Sequence, residues 1–356
     1  MEGESLIGIR DLARHLDISI GTISRALNDK ADVNPETRKR VREAAAKLGY
    51  SPNQSGRSLR RGKTDLVGVI IPVGSENTLI NTVFLSVLDG LRRKLSEGGL
   101  DLAIFLQGQE ADIFGSLRRL TERRLVDGVI ITNTLRIDPR VDYLLERRRT
   151  FVAFGRSLSG GGYSWVDPDF AAAVEGAVDF LAGKGHKRIG LILPPGDTNY
   201  LHLIAESYRG ALLKRALVVD PAYLQRRSAA ESDGYNAGEF MLAMKHPPTA
   251  ILVSEAVHVV GLYRKFEEAR LKPGRDISVV GLMSEERVQM LSPALTSFTT
   301  DWTAIGTRLG EAVIDALSMV GSTGVKSKPK ATTFLAPARF IEASTVHPVN
   351  TPDTKS

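Results

Sequence analysis

Cysteine is absent from this chain of 356 residues, which excludes disulfide bonds, thiol nucleophiles and cysteine-ligated metals. Long apolar runs are absent as well: no stretch of about 18 apolar residues occurs, so neither a membrane span nor a membrane partner is predicted. The opening residues, MEGESLIGIRD, lack the basic and apolar segments of a secretory signal peptide. We therefore expect a globular protein of the reducing cytoplasm.

The motifs on which many enzymes depend are also missing. No Gly-x-Gly-x-x-Gly follows an apolar run, and there is no Walker-type phosphate loop or nucleophile elbow. The six histidines are scattered without the spacing of metal ligands. The sequence therefore predicts no catalytic residue, no metal site and no cofactor, and an enzyme remains only as an alternative class.

Positive charge is concentrated at the N-terminal end of the chain. The net charge is +6, and residues 1–63 hold 13 Lys and Arg against 8 Asp and Glu, a local net charge of +5. A small basic segment on a nearly neutral body favours a polyanionic partner for that segment. The alternative is a chance cluster of solvated arginines.

Residues 5–50 have the apolar periodicity of three short helices and no strand-like run. Ser19 can cap the second helix, and Asn34, followed by Pro35 and Glu36, is a strong start for the third, which Gly49 ends. The three apolar faces are formed by Ile9, Leu12, Ala13 and Leu16, by Ile20, Ile23, Ala26 and Leu27, and by Val41, Ala44, Ala45 and Leu48. We predict a three-helix domain over residues 1–50, with a tight turn at residues 17–19.

A polar, basic segment with Pro52 and Gly62 follows this domain. It has room for one short helix, Asn53 to Leu59, which is too short to be stable alone. Residues 51–64 are therefore predicted to form a hinge.

Apolar runs recur from Leu66 onward, and amphipathic stretches separate most of them. This alternation predicts parallel sheets covered by helices on both faces. About eight such runs exceed one small sheet, so we predict an α/β, Rossmann-like core of two lobes over residues 65–347, divided near Ser157–Trp165, and a disordered tail over 348–356. The runs are LVGVIIP, DLAIFLQ, DGVIITN, TFVAFGR, RIGLILPP, TAILVS, ISVVGLM and TTFLAPARFI.

The stretch IGIRDLARHLDISIGTISRALNDKADVNPETRKRVREAAAKLGYSPN resembles the helix-turn-helix domain of the lactose-repressor (LacI/GalR) family. GRSLRRGKTDLVGVIIP looks like the hinge and first strand of that family, and GHKRIGLI, DISVVGL and ALTSFTTDWTAIG are similar to its later landmarks. The resemblance implies a cytoplasmic transcription regulator, in most such proteins a repressor, that binds a pseudo-palindromic DNA operator as a homodimer or dimer of dimers. It further implies a periplasmic-binding-protein-like core whose small-molecule effector sets operator affinity.

Under this resemblance the second helix enters the major groove and places Ile20, Gly21 and Arg25 on base-facing positions. Only Arg25 has a donor fork suited to guanine. Ile20 can offer a methyl contact, or alternatively pack in the core. Gly21 either lets the backbone approach the bases or only weakens the helix.

The family motif places a second set of residues near phosphates or flanking base edges: Thr22, Ser24 and Asn28 on the second helix, and Asn34 and Thr37 at the start of the third. In the hinge, the resemblance implies that Leu59 enters the minor groove when the hinge helix folds on DNA, with Arg57 attracting phosphate. Gly56 stands where the family usually has alanine, so we expect hinge folding to depend more strongly on DNA.

Polar landmarks of sugar-binding members are lost at four places in the predicted cleft. Ile204 replaces an arginine, Glu255-Ala256 replaces an Asn-Asp pair, Met283-Ser284 replaces an acidic pair, and Gly155 precedes Arg156 where Asp-Arg is usual. The remaining candidates for effector binding are Thr132, Asn133, Arg156, Glu255, Ser284, Asp301 and Trp302.

Two interpretations of this cleft remain open. In one, the effector is a carbohydrate, sugar acid or sugar phosphate, with Arg156 as an anion partner and Trp302 stacking on a ring. In the other, the pocket is vestigial, Arg156 forms a salt bridge at the interface between the lobes, and Trp302 is a core residue. A solute-binding protein shares the predicted core but not the basic N-terminal domain.

Overall fold

The computed structural model describes residues 7–50, 63–72, 82–108, 114–282, 290–320 and 331–349. The chain divides into two compact units, with the division between Thr64 and Asp65. Three predicted site residues, Arg57, Leu59 and Ser284, lie outside the described residues, as does nearly all of the predicted hinge.

The first unit contains three helices: α1 (Ile9–Leu16), α2 (Ile20–Leu27) and α3 (Pro35–Lys47). The Ser19 hydroxyl accepts a hydrogen bond from the Thr22 amide at 3.1 Å, and this cap begins α2. Asn34 begins α3 in the same way, because its side-chain oxygen accepts from the Glu36 amide at 2.8 Å. Helix α2 ends at Leu27, with Asn28 as its C-terminal cap.

The apolar faces of these helices meet in one core, which closes within the first 50 residues of the chain. Asp17 makes the turn between α1 and α2 possible by adopting a left-handed conformation, with φ 53°. The predicted apolar periodicity is therefore real, although Ile20 does not take part: its side chain is 38% exposed. The buried members of this core are Leu12, Ile23, Ala26, Val33, Val41, Ala44 and Ala45.

The second unit is built from two lobes, each with a six-stranded sheet. In lobe 1 the strand order is β11-β5-β4-β3-β1-β2, and all neighbouring strands run parallel. The strands are β1 (Leu66–Pro72), β2 (Asp101–Gln107), β3 (Gly128–Ile131), β4 (Phe151–Phe154), β5 (Ser164–Pro168) and β11 (Thr333–Ala336). Helices α4 (Thr82–Glu97) and α11 (Trp302–Val320) cover one face, and α5 (Gly115–Glu122) and α6 (Pro139–Glu146) cover the other.

Lobe 2 repeats this architecture with the strand order β12-β10-β9-β8-β6-β7. Its strands are β6 (Ile189–Leu193), β7 (Leu224–Arg226), β8 (Ala250–Val253), β9 (Ser278–Gly281), β10 (Thr296–Thr299) and β12 (Arg339–Ile341). Only β12 is antiparallel to its neighbour, β10. Helices α7 (Phe170–Gly183) and α8 (Asn199–Lys214) cover one face, and α9 (Glu231–Leu242) and α10 (Ala256–Glu268) cover the other; a 3₁₀ turn lies at Pro221–Tyr223.

The predicted division between lobes near Ser157–Trp165 is wrong. Strand β5 lies beyond that point and still belongs to the lobe 1 sheet, where Trp165 pairs with Ala153. The chain crosses to lobe 2 only after Pro168, returns to lobe 1 between β10 and α11, and crosses again between β11 and β12. The run TTFLAPARFI, expected to be one strand, is divided by this last crossover at Pro337.

The estimate of about eight strands is also too low, because β5, β7 and β10 are short, partly polar segments and not continuous apolar runs. The ordered chain also extends beyond the predicted end of the core: the Val349 amide donates to the Lys184 carbonyl at 2.8 Å. Residues 350–356 of the predicted tail lie outside the described residues. None of the described helices is long and apolar enough to cross a lipid bilayer.

Helices α4 and α11 approach each other so closely that their contact requires glycine on both sides. A Cβ atom at Gly90 would lie 2.1 Å from the Thr303 carbonyl oxygen, and one at Gly306 would lie 2.0 Å from the Val87 carbonyl oxygen. Both obstacles are backbone atoms, which cannot move aside without moving a helix. The distance between α4 and α11 is therefore set by contact between their backbones at these two glycines.

We expect Gly306→Ala to lower the unfolding free energy of the second unit by about 1–3 kcal/mol, because the added methyl forces the two helices apart. Gly210→Ala is the matched control, since Gly210 is exposed in α8 and a Cβ there meets nothing within 4 Å. That change should stabilise by up to about 1 kcal/mol through helix propensity. Thermal unfolding monitored by circular dichroism measures both. Equal midpoints for the two variants would show that the helix contact tolerates a side chain.

Candidate nucleic-acid interface and ligand cleft

The side of α2 that faces solvent carries the residues predicted to meet DNA. Ile23 and Ala26 point into the core, which leaves the opposite side of the helix for the predicted set. Ile20, Gly21, Arg25 and Asn28 are exposed there, and Thr22 and Ser24 are half-buried beside them. The structure therefore brings the α2 candidates together on one surface. Their contact with bases remains a prediction.

Arg25 is not free in this surface. Its guanidinium lies 3.7 Å from the carboxylate of Asp32, and both side chains are more than half exposed. An exposed pair of this kind contributes little stability, so it can open at small cost. Arg25 can therefore leave Asp32 to bind another partner at little cost in free energy.

Gly21 has open space around it. A Cβ atom there would have Ser19 Oγ as its nearest neighbour, at 3.8 Å, and its backbone has an ordinary helical conformation. No contact within this unit therefore requires glycine at position 21, and a larger side chain fits without strain.

The remaining candidates of the first unit lie at or near the ends of helices. Asn28 caps the C-terminal end of α2, and its side-chain nitrogen donates to the Ser24 carbonyl at 2.6 Å. Asn34 is exposed at the N-terminal end of α3, where the helix dipole favours anions, and Thr37 is half-buried one turn later. These placements agree with phosphate contact but equally serve the helices themselves.

In lobe 1, the predicted cleft residues follow β3. Thr132 is buried, and its hydroxyl donates to the Ile70 carbonyl at 2.9 Å, so it supports the sheet rather than offering a free hydroxyl. Asn133 is exposed and left-handed, with φ 50°. Buried Arg140 holds this segment: it pairs with Asp138 at 2.7 Å and donates to the Thr132 and Asn133 carbonyls.

Arg156, after β4, pairs with a carboxylate that the sequence analysis did not single out. Its Nε lies 3.2 Å from the Asp167 carboxylate on β5, and the guanidinium lies 5.9 Å from the centre of the Trp165 ring. Burial raises the pKa of Asp167 to about 7 even though the Arg156 charge opposes the shift. The pair joins two strands of lobe 1, so it is not the salt bridge between lobes that was the alternative for Arg156.

Asn199, at the start of α8, crosses from lobe 2 to lobe 1. Its backbone amide donates to the Thr134 carbonyl at 2.8 Å, and its side-chain nitrogen donates to the Arg156 carbonyl at 2.9 Å. Arg136 strengthens the crossing through a backbone bond to Asp197 and an ion pair with Glu206 at 2.8 Å. These bonds bring the end of β6 against the segments that follow β3 and β4.

Glu255 follows β8 in lobe 2, next to aromatic side chains. It is half-buried at the start of α10, and its charge adds to burial in raising the pKa of Tyr200. The Tyr200 ring lies 5.3 Å from the Phe170 ring, and both pack on the lobe 2 core. Tyr200 is the second residue of α8, directly after the polar loop that follows β6, and aromatic character in PPGDTNY is the signal that could have identified it.

Asp301 and Trp302 lie at the return crossover from lobe 2 to lobe 1. Asp301 is exposed, and its side chain accepts from the Ala304 amide at 2.8 Å, which caps α11. Trp302 packs on the cores of both lobes, and its buried Nε1 finds no acceptor among the described residues. A cavity of about 900 Å³ is lined by both residues and by Arg308 and Arg339.

The structure thus places the cleft candidates in three groups: the segment after β3 with Arg156, the start of α10, and the return crossover. Sequence reasoning missed Asp167, Asn199 and Tyr200, whose contacts join residues distant in the chain. Within the described ranges, no group of three or more His, Asp and Glu side chains is placed to hold a metal ion.

Comparison with known proteins gives two family matches. Residues 8–53 match the bacterial regulatory proteins of the lacI family, and residues 178–346 match the periplasmic binding protein-like domain. The HTH-type transcriptional regulator AglR of Rhizobium meliloti (strain 1021) is 31% identical over 319 residues, covering 87% of this chain and 88% of the relative. The HTH-type transcriptional regulator RafR of Escherichia coli is 33% identical over 246 residues, covering 69% and 72%.

Solved structures share the fold. The lac repressor dimer bound to operator and the anti-inducer ONPF has a TM-score of 0.84 at 20% identity, covering 96% of this chain and 100% of that one. The regulator CelR in complex with cellobiose has a TM-score of 0.71 at 21% identity, covering 95% and 99%. A LacI family regulator of Enterococcus faecium with bound ribose has a TM-score of 0.66 at 20% identity, covering 80% and 100%. With the helix-turn-helix unit, the two-lobed core and the AglR match, the chain belongs to the lacI family of bacterial transcriptional regulators.

Proposed function

We propose that this protein represses transcription in the cytoplasm by binding a pseudo-palindromic operator as a homodimer, and that a carbohydrate or carbohydrate derivative sets its affinity for DNA. The observation that carries the proposal is the solvent-facing side of α2, where Arg25 stands among small polar side chains on a well-capped helix. A polar helix surface of this length fits the major groove.

Base reading in this proposal is concentrated in Arg25. A bidentate arginine–guanine pair contributes about 1–3 kcal/mol of discrimination, and the other base-facing residues, Ile20 and Gly21, have no polar side chain. Thr22, Ser24, Asn28, Asn34 and Thr37 serve position rather than sequence, because phosphate contacts carry no base information. Arg57 and Leu59 of the hinge add phosphate attraction and a minor-groove wedge.

Selection of bound duplexes from a random pool tests the reading helix. We expect Arg25→Ala to abolish the preference for one site, and Gly21→Gln to change the preferred sequence while DNA is still bound, since the larger side chain fits without a clash. Arg14→Ala removes an equal charge from exposed α1 and is the control; it should weaken binding without changing the selected sequence. Identical selected sites for wild type and both α2 variants would refute α2 as the reader.

The effector part of the proposal rests on the cleft and on related proteins. A cavity of about 900 Å³, within the range of small-molecule sites, is lined by Asp301 and Trp302. Its lining does not include Asn133, Arg156 or Glu255, so these residues are proposed from their positions at the strand ends. Two structures of the same fold hold cellobiose or ribose. Arg156 is already paired with Asp167, which favours a neutral carbohydrate over a sugar acid or phosphate. Asn133, Glu255, Ser284 and Asp301 are the other proposed contacts, whereas the hydroxyl of Thr132 is already bonded within the sheet.

A thermal-shift screen of neutral sugars, sugar acids and sugar phosphates tests the effector. A ligand at 100 times its Kd stabilises the folded state by about 2.7 kcal/mol, enough to raise the melting midpoint by several degrees. We expect a neutral sugar to give this shift, and Glu255→Gln to reduce it. Glu239→Gln, an exposed change in α9 of the same lobe, should leave it unchanged. No shift with any compound at millimolar concentration would favour the vestigial pocket instead.

The homodimer part of the proposal rests on the exposed edge of lobe 1. Strand β2 ends the sheet, and on the side of α4 it exposes Ile104 (48%) and Leu106 (58%), with Leu85 of α4 also exposed. An open, apolar edge strand is prone to pair with another chain. A second copy related by twofold symmetry would cover this surface and match a pseudo-palindromic site.

We expect Leu106→Asp to shift the protein from dimer to monomer in sedimentation equilibrium, because the charge would be buried at the proposed interface. Leu213→Asp in α8 is the matched control, since Leu213 is 68% exposed on lobe 2 and lies outside the proposed surface. A dimer that persists in both variants would place the interface elsewhere.

A further inference from the structure

Five arginines cluster at one edge of lobe 1, in the two turns that lead into β3 and β4. Arg123 and Arg124 follow α5, and Arg147, Arg148 and Arg149 follow α6. Strands β3 and β4 are parallel neighbours, and the Val129 amide donates to the Thr150 carbonyl at 3.0 Å, so the two turns lie side by side. We call these five residues the arginine edge.

The charge of the arginine edge is available to an external anion. Four of the five side chains are exposed, and Arg149 is half-buried. None of the five forms an ion pair with a described residue, although Arg147 stacks over the Tyr143 ring at 4.7 Å. Residues 122–127 and 146–150 hold these five arginines against three acidic residues, Glu122, Asp127 and Glu146.

One of these acids is already engaged. The Asp127 carboxylate accepts a hydrogen bond from the Asp65 amide at 2.8 Å, and the Asp127 amide donates to the Leu66 carbonyl at 2.8 Å. These bonds tie the turn before β3 to the point where the chain enters lobe 1. The carboxylates of Asp65 and Asp101 stand at the starts of β1 and β2, on the other side of β3 from the turn before β4.

The chain that enters lobe 1 at this edge comes from the DNA-binding unit. Only twelve residues, 51–62, separate the two described segments that end at Tyr50 and begin at Lys63. Because only these residues connect the two units, a contact between lobe 1 and DNA that the first unit already binds would be intramolecular, which favours a second contact on the same chain.

Two of these arginines occupy backbone positions that favour glycine. Arg124 has φ 51° and Arg148 has φ 50°, both in the left-handed region that directly follows a helix. Arginine at such a position is strained relative to glycine. The same strained position recurs after both helices with the same charged residue, although glycine would close each turn more easily.

We propose that the arginine edge binds the phosphates of the DNA that flanks the site read by α2. This inference rests on the proposed function, because it takes operator binding by the first unit as given. Guanidinium groups pair well with phosphate and read no sequence, so the contact adds affinity without changing the preferred site. Affinity would then depend on the length of the DNA that flanks the site, but not on the sequence of that flanking DNA.

The test uses the full-length double variant Arg124→Gly/Arg148→Gly, which removes two charges and relieves two strained residues together. Its binding is compared with wild type on a duplex of about 24 base pairs that carries a site selected from the random pool, and on one of about 50 base pairs with the same centre. We expect equal affinity on the short duplex and about a tenfold loss on the long one. The slope of log affinity against log salt on the long duplex should become shallower by about 2–4.

The melting midpoint of this variant should be equal to or above that of wild type, which separates lost phosphate contact from misfolding. Arg270→Gly is the control: Arg270 has φ 56° after α10 of lobe 2, so the change removes one arginine charge and one strained residue elsewhere, half of what the double variant removes. It should leave both affinities unchanged.

Unchanged affinity and an unchanged salt slope of the double variant on the long duplex would overturn the proposal. That result is also the one expected if the arginine edge binds an acidic protein instead of DNA. An equal loss on both duplexes would overturn it as well, because the flank would then play no part. If the wild type selects no site from the random pool, the proposed function itself is contradicted. This result differs from failure of the arginine-edge proposal, in which the wild type still prefers one duplex sequence.

Discussion

The set of hydrogen bonds around Asn199 is the constraint on which the ligand cleft depends. Asn199 is buried, and it joins lobe 2 to two separate segments of lobe 1, at the Thr134 and Arg156 carbonyls. Both acceptors are backbone carbonyls, so these bonds do not depend on the side chains of Thr134 and Arg156. They hold the carboxyl end of β6 against the carboxyl ends of β3 and β4. A buried amide left without these partners would lose about 1–3 kcal/mol, which opposes separation of the lobes here.

Arg156 is not a free positive charge in the cleft, because it is paired with Asp167. Arg156 lies beside Asp167 inside lobe 1, and burial raises the pKa of that carboxyl to about 7 although the positive charge of Arg156 opposes the shift. The desolvation of two buried charges offsets much of their attraction, so this pair is weak evidence for added stability. Tyr200 and Trp302 both pack on the lobe 2 core, and the cavity that Trp302 lines has Arg308 and Arg339 in its lining as well.

The sequence predicts well what is local, and less well what depends on distant residues. The caps at Ser19 and Asn34 follow from side chains that bond amides two or three residues away, and the structure confirms both. The two-lobed α/β core is confirmed for a similar reason, since continuous apolar runs become strands buried on both faces. Strand β5 was missed because SWVDP is short and partly polar, and its place in the sheet comes from β4 and β11 on either side.

The same distinction applies to the candidate sites. The exposed residues of α2 could be predicted because the helix buries only one side. The partner of Arg156 could not, because Asp167 lies on a different strand and only the folded sheet brings the two together. Trp302 was assigned either to ligand or to core, and the structure shows a residue that packs on both lobes and also lines a cavity.

The late position of α11 and β11 in the sequence has a consequence for synthesis. Lobe 1 begins at Asp65 but is incomplete until residues 302–336 have been made, so Val152 and Val166 stay uncovered while all the helices of lobe 2 are translated. The core of the first unit needs only the first 50 residues. At ordinary elongation rates the interval is on the order of tens of seconds. During this interval the core of the helix-turn-helix unit is complete while lobe 1 is not. A chain that terminated within it would therefore carry the first unit without a complete second unit.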